Sequence, residues 1–170
     1  MRIGVKRGEA RVEKYNSCWP ELFNKEHRKF EVIFPGAHIV HIGSTSVPGM
    51  LAKPIIDILL GYKSDQEFEN YKTYLVANGY RYRGCPHEIG DHIFIFVSEN
   101  DIQTHKVHMV EFLGDLWKEK IKFRDILRKN KSVCERYSQF KKELASQYGH
   151  SRKEYTRRKG HLIEEILKQR

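Results

Sequence analysis

The feature that most constrains this chain is a pair of apolar runs joined by a turn of small residues: AHIVHI at 37–42, GSTSVPG at 43–49 and PIIDILLGY at 54–62. Both runs are short, apolar and bounded by glycine or proline, as strands are. The second is apolar at consecutive positions, so both of its faces need cover, and it belongs in the middle of a sheet with a layer on each side. Its one exception is Asp57. Alternation places Asp57 and Leu59 on one face of the strand and Ile56, Ile58 and Leu60 on the other. A carboxylate in that position loses hydration unless a metal, a cation or hydrogen-bond donors meet it.

The flanking sequence supplies the cover. Pro20 suits a first helical turn, and Leu22, Phe23, Phe30 and Phe34 recur near helical spacing until Pro35-Gly36. Ser64, with Glu67 three residues on, reads as a capping box for a helix running to Asn78-Gly79. HIFIFVS at 92–98 and THKVHMVEFL at 104–113 read as two strands of a hairpin. Beyond Gly114 the pattern turns helical, with one stripe at Val133, Tyr137, Phe140, Leu144 and Tyr148 and another at Leu162, Ile163, Ile166 and Leu167. The expected fold is α/β or α+β. It is one domain over 1–170, with a mixed-sheet core at about 15–114 and a helical C-terminal segment at 115–170.

Charge divides along the same line. Residues 1–114 hold 14 Lys and Arg against 14 Asp and Glu, whereas residues 115–170 hold 17 against 8. The net charge of +9 therefore resides in the last third. Such a segment attracts polyanions, so a nucleotide, a phosphorylated small molecule or RNA is the expected partner. The same lysines and arginines also suit plain solvation of helix faces. Three widely spaced cysteines without a C-x-x-C pair argue against a disulfide framework and fit a reducing cytoplasm. No apolar run has transmembrane length and the start lacks an apolar signal core, so neither export by a signal peptide nor a membrane partner is expected.

Several residues are candidates for chemistry. Gly43, Ser44 and Thr45 follow a strand directly, where a small side chain lets the backbone approach an anion and hydroxyls can donate to phosphate oxygens. The same sequence also suits an ordinary turn. Lys53 lies close enough to neutralise a phosphate or Asp57 itself. Arg124 and Arg128 share a helix face, and Lys141 and Lys159 each follow a tyrosine by four residues. Tyrosine with lysine is a combination for stacking a base beside a phosphate, although Tyr137 equally suits the core. His41, His105 and His108 could join Asp57 at a metal, but positions i and i+3 of a strand face opposite ways. At most one of His105 and His108 can do so unless a bulge intervenes, and either equally suits a hydrogen-bonded core or rim histidine. His87 and His92 receive no role.

These motifs resemble the GrpB family: HIGSTSVPG followed by AKPIID, the His105-Lys106-Val107-His108 strand, FRDILR at 123–128, and the Tyr137/Lys141 and Tyr155/Lys159 pairs. The resemblance covers about Tyr15 to Lys168. It implies membership of the nucleotidyltransferase superfamily, with a polymerase-β-like mixed sheet flanked by helices, Gly43-Ser44 on the phosphate side and Asp57 as first carboxylate of a D-x-[DE] pair. The implied cofactors are a divalent metal, Mg²⁺ or Mn²⁺, held by Asp57 and His108, and a nucleoside triphosphate. Two-metal transfer needs carboxylates on adjacent strands, yet the second position of the pair here is Leu59. Two functions stay open: a metal-dependent nucleotidyl or phosphoryl transferase with Asp57 catalytic, and a non-catalytic module of the same fold that binds a nucleotide, a phosphorylated cofactor or RNA.

Overall fold

A computed structural model describes residues 3–7, 9, 11–86, 89–148 and 152–168. In chain order the elements are β1 (Val5–Lys6), α1 (Trp19–Ile33), β2 (His38–Ile42), a 3-10 turn at Ser44–Ser46, β3 (Ile56–Tyr62), α2 (Asp65–Ala77), β4 (Tyr80–Tyr82), β5 (His92–Val97), β6 (Ile102–Glu111), α3 (Asp115–Lys129), α4 (Lys131–Tyr148) and α5 (Arg152–Lys168). The six strands form one mixed sheet in the order β2-β3-β6-β5-β4, and β1 pairs with the start of β6. β3 runs parallel to β6, while β2 pairs with β3, and β5 with β6, antiparallel.

Local chemistry explains the elements that the sequence foretold. Pro20 opens α1, whose Trp19 and Phe30 are buried. Ser64 caps α2 by accepting from the Glu67 amide at 3.2 Å, and the Glu67 carboxylate accepts from the Lys63 amide at 2.7 Å. The capping box thus closes one residue earlier than its usual form. The hairpin forms as expected, but its second strand is shifted two residues towards the N-terminus, at Ile102–Glu111 instead of 104–113. Asn130 separates α3 from α4 and accepts the Val133 amide at 3.2 Å.

The two faces of the sheet have separate cores. Ile56, Ile58, Leu60, Val107, Met109 and Phe94 pack with Trp19 and Phe30 of α1 and Tyr71 and Leu75 of α2. Each fully buried Ile or Leu there stabilises the fold by about 1.5–3 kcal/mol. On the opposite face Ile42, Leu59 and Val110 meet Trp117 of α3. A side chain at Gly61 would strike the Trp117 ring at 2.9 Å, so glycine lets α3 sit against the sheet. Val47 and Met50, just after the 3-10 turn, are buried with Leu127, Cys134, Tyr137, Leu162 and Ile166 of the three C-terminal helices. Tyr137 is therefore a core residue. Asp57 lies on this second face, beneath the basic helices.

Candidate functional site

β2 and β3 run antiparallel with Ile42 opposite Asp57, so the chain leaves β2 directly beside that carboxylate. Gly43 sits there with φ +69, and a Cβ on it would overlap the Asp57 carboxylate. Both the backbone conformation and the contact call for glycine. The following turn is braced from within and from α3. Ser46 donates to the Gly43 carbonyl at 2.6 Å, and Thr45 donates to the Ile55 carbonyl at 3.1 Å. Arg128 places two N–H groups on the Ser46 carbonyl, at 3.0 and 2.8 Å, and Arg124 reaches the His41 carbonyl at 3.2 Å while pairing with Asp125. Thr45, Arg124 and Arg128 thus hold the turn's own backbone. His41 belongs to the other face of the sheet, stacked on Phe23 of α1 with ring centroids 4.8 Å apart, and its Nε2 meets the Thr45 hydroxyl at 3.1 Å. Burial, reinforced by Arg128 and Arg124, lowers its pKa to about 3, so it is neutral at physiological pH.

Ser44 is held differently. Lys141 reaches from α4 across 97 residues of sequence to donate to the Ser44 hydroxyl at 2.8 Å, and it also donates to the Leu51 carbonyl at 2.6 Å. Its side chain lies over the Tyr137 ring, 5.0 Å from ammonium to centroid, and the residue is only 4% exposed. Burial, joined by the nearby charge of Lys159, lowers the Lys141 pKa to about 7. Lys53 lies over the Tyr155 ring at 5.1 Å and approaches the Glu9 carbonyl at 3.4 Å. Tyr155 and Lys159, paired in the sequence, therefore both border this region from α5.

The parallel register of β3 and β6 sets Asp57 level with Lys106, and Leu59 level with His108. These four side chains share a face, whereas His105, level with Ile56, points to the apolar side. His108 rather than His105 is thus on the Asp57 face. Its Nδ1 is 2.9 Å from Asp91, which precedes β5 and also takes the Lys120 ammonium of α3 at 2.9 Å. Burial, with the Lys106 charge, lowers the His108 pKa to about 3, so the neutral ring carries its proton on Nδ1 and donates it to Asp91. Burial works against an ionised Asp91, but the His108 hydrogen bond and the Lys120 charge outweigh it and hold this carboxyl well below the usual range.

The result is a cluster of cations around Asp57. Burial raises the Asp57 pKa, and Lys106, Lys159, Lys141 and Lys120 act against that rise. Each of α3, α4 and α5 contributes one of these lysines, and β6 contributes the fourth. Lys106 is lowered to about 8, by burial first and then by Lys159 and Lys120. Four lysines thus bear on Asp57, and one of them, Lys120, is bonded to Asp91. Gly43, Ser44, Asp57, Lys106 and Lys159 are each half-buried as residues.

A divalent metal bridged by carboxylates needs several oxygen ligands. Here Leu59 replaces the second acid, Lys106 stands on the adjacent strand opposite Asp57, and Asp91 is already bonded to His108 and Lys120. Among the described residues no three His, Cys, Asp or Glu side chains converge. The residues present do not fit the divalent metal that the family resemblance implied at Asp57 and His108. The sequence alone assigns no role to Lys106, Asp91 or Lys120. Alternation alone links Lys106 to His108, but only the register of two distant strands brings it to Asp57. His92 lies elsewhere, on the other side of β5, where its Nδ1 meets the Tyr82 hydroxyl at 2.7 Å; His87 is outside the described residues.

No helix among the described residues is long and apolar enough to cross a membrane. The exposed Arg157 and Arg158 of α5 both pair with Glu154, at 2.7 and 2.5 Å.

The chain is similar to known proteins. The chain is 36% identical over 173 residues to the glutamate-rich protein GrpB of Alkalihalophilus pseudofirmus, covering 98% of this chain and 99% of that one. It is 36% identical over 134 residues to the UPF0157 protein YqkA of Bacillus subtilis, covering 77% of this chain and 38% of that protein. The crystal structure of the conserved protein GrpB from Enterococcus faecalis superposes with a TM-score of 0.78 at 29% identity, over 93% of this chain and 98% of that one. Cid1 poly(U) polymerase, in a structure bound to MgATP, gives a TM-score of 0.44 at 14% identity, a likeness too coarse to bear on chemistry. The family model described as GrpB protein matches residues 9–169, and the chain belongs to the GrpB family.

Proposed function

We propose that this protein is a binding module for a phosphorylated small molecule, of the nucleotide or phosphorylated-cofactor class, and that it does not transfer nucleotidyl groups. The reading is supported above all by one observation: Lys106, Lys120, Lys141 and Lys159, from four different elements, all bear on Asp57, and Lys141 also holds Ser44. Burial first, and then the charge of Lys159, depress both Lys141 and Lys106, and a bound anion would oppose that repulsion. Ser44 accepts from Lys141 and keeps its own proton to donate, while Gly43 lets the Asp57 carboxylate lie against the turn. Lysine is a point-charge binder of phosphate, so a compact anion suits the cluster. The pairing of Arg157 and Arg158 with Glu154 favours a small ligand over RNA along α5.

Thermal-shift screening of the intact protein against nucleoside mono-, di- and triphosphates and phosphorylated sugars tests the proposal. A ligand bound only by the native state raises the melting temperature in proportion to log concentration above Kd. The expected result is stabilisation by at least one phosphorylated compound, lost in Lys141→Met. Failure of every phosphorylated compound to stabilise the fold would contradict it.

A further inference from the structure

Building on the phosphate-binding reading, we propose that the site takes its ligand as a free, unchelated phosphomonoester dianion, such as a nucleoside monophosphate or sugar phosphate, with the Lys106 ammonium serving as built-in countercharge where the fold's relatives are expected to place a metal. The argument is positional. Asp57 faces across the sheet to the neighbouring parallel strand, and the side chain level with it there is Lys106. A cation is therefore already covalently installed beside the one carboxylate a metal could have used.

The surroundings remove the remaining ligands for an incoming dication and keep those for an anion. Leu59, two residues from Asp57 on the same face, has no donor atom. Asp91 is 4% exposed and engaged by both His108 and Lys120, so it neutralises Lys120 and does not face the ligand as a spare carboxylate. Lys141, as deeply buried, points at Ser44. A nucleoside triphosphate normally travels with magnesium, and that dication would enter among like charges in a poorly hydrated setting, where repulsion is strong. A phosphomonoester brings two negative charges without a metal and suits the lysines gathered around Asp57.

Calorimetric titration of the wild-type protein decides this, with adenosine monophosphate, glucose 6-phosphate and ATP as probes, each in EDTA and in excess magnesium. The expected result is that one or both monophosphates bind in EDTA with Kd changed by less than about twofold on adding magnesium, while ATP weakens on the order of tenfold once chelated. Adenosine monophosphate binding without glucose 6-phosphate binding identifies a nucleotide site; binding of both identifies recognition of the phosphate itself. Lys106→Gln should weaken the bound monophosphate roughly tenfold to a hundredfold, as loss of a charge-assisted hydrogen bond does. Lys159→Gln, on the more open α5 side, tests the same charge without touching the sheet. Binding that requires magnesium, or that is indifferent to both substitutions, overturns this inference and leaves the phosphate-binding function standing. Absence of binding by all three probes in both buffers overturns the two together.

Discussion

The two faces of the central sheet are built from the same strands, yet they obey different rules. On the α1/α2 side, β3 and β6 present Ile56, Ile58, Leu60, Val107 and Met109, every one fully buried. On the α3–α5 side the same two strands present Asp57, Leu59, Lys106 and His108. Apolar burial is non-directional and adds up area by area, so the first face needs only shape and hydrophobicity. The second face carries charges whose hydration has been partly removed, and these destabilise the fold unless each finds a partner. Asp91 joins His108 and Lys120, Lys141 joins Ser44 and Leu51, and Asp57 meets the charges of four lysines. The difference teaches that one face is apolar throughout, while the other adds to its apolar cores the charged side chains of the proposed site.

Substitutions can break that contrast. Leu60→Ala, on the apolar face, should cost about 2–5 kcal/mol of unfolding free energy, the scale of a leucine-sized cavity, and leave ligand affinity in the surviving native state unchanged. Chemical denaturation checks the first part; calorimetry well below the melting temperature checks the second. A comparable loss of affinity at constant fold would mean that the two faces are not independent. At the other extreme, replacing Arg157 and Arg158 by Gln removes two exposed charges that pair only at the surface. Surface pairs contribute little, so the melting temperature should stay nearly constant and affinity for a phosphomonoester should hold within about twofold. A large, salt-dependent loss of RNA affinity in that variant would instead place a polyanion partner on the outer face of α5.

Much of this contrast was legible in the sequence, and the exceptions are physical ones. Period-two alternation put Asp57 with Leu59 and separated His105 from His108, and the structure keeps both assignments. Pro20, Ser64 and Glu67 marked helix starts because capping is chemistry local to a few residues. β1 and β4, with two and three residues, are too short to carry a periodic signal and exist because a neighbouring strand edge is available. The meeting of Asp57 and Lys106 depends on how two strands nearly fifty positions apart come into register, which packing decides. Lys141 was recognised as a cation on the Tyr137 face, but its reach to Ser44 depends on how α4 settles over the 3-10 turn. Arg124 and Arg128 show the converse. Their shared face was correctly read, and the structure uses it to hold backbone carbonyls.

Lys141 also gives the charged face a signature in pH. Its pKa in the folded protein is about 7 against an ordinary 10.5, so between these values the unfolded chain binds the proton more readily. Fold stability should therefore rise with pH across that window, while affinity for an anion falls as the lysine loses its charge. The groups bearing on Lys141 are Ser44, Lys53, Asp57, Cys134, Tyr137 and Lys159; those bearing on Lys106 are Asp57, Asp91, Lys120 and Lys159. Calorimetric titration of a phosphomonoester at pH 8, in two buffers of different ionisation enthalpy, counts the protons that accompany binding. At that pH the ligand is already a full dianion, so protons can only come to the protein's side of the complex. The lysine-cluster account predicts net uptake approaching about one proton per ligand as the anion recharges Lys141 and Lys106. Binding with no proton uptake, or with proton release, would contradict it.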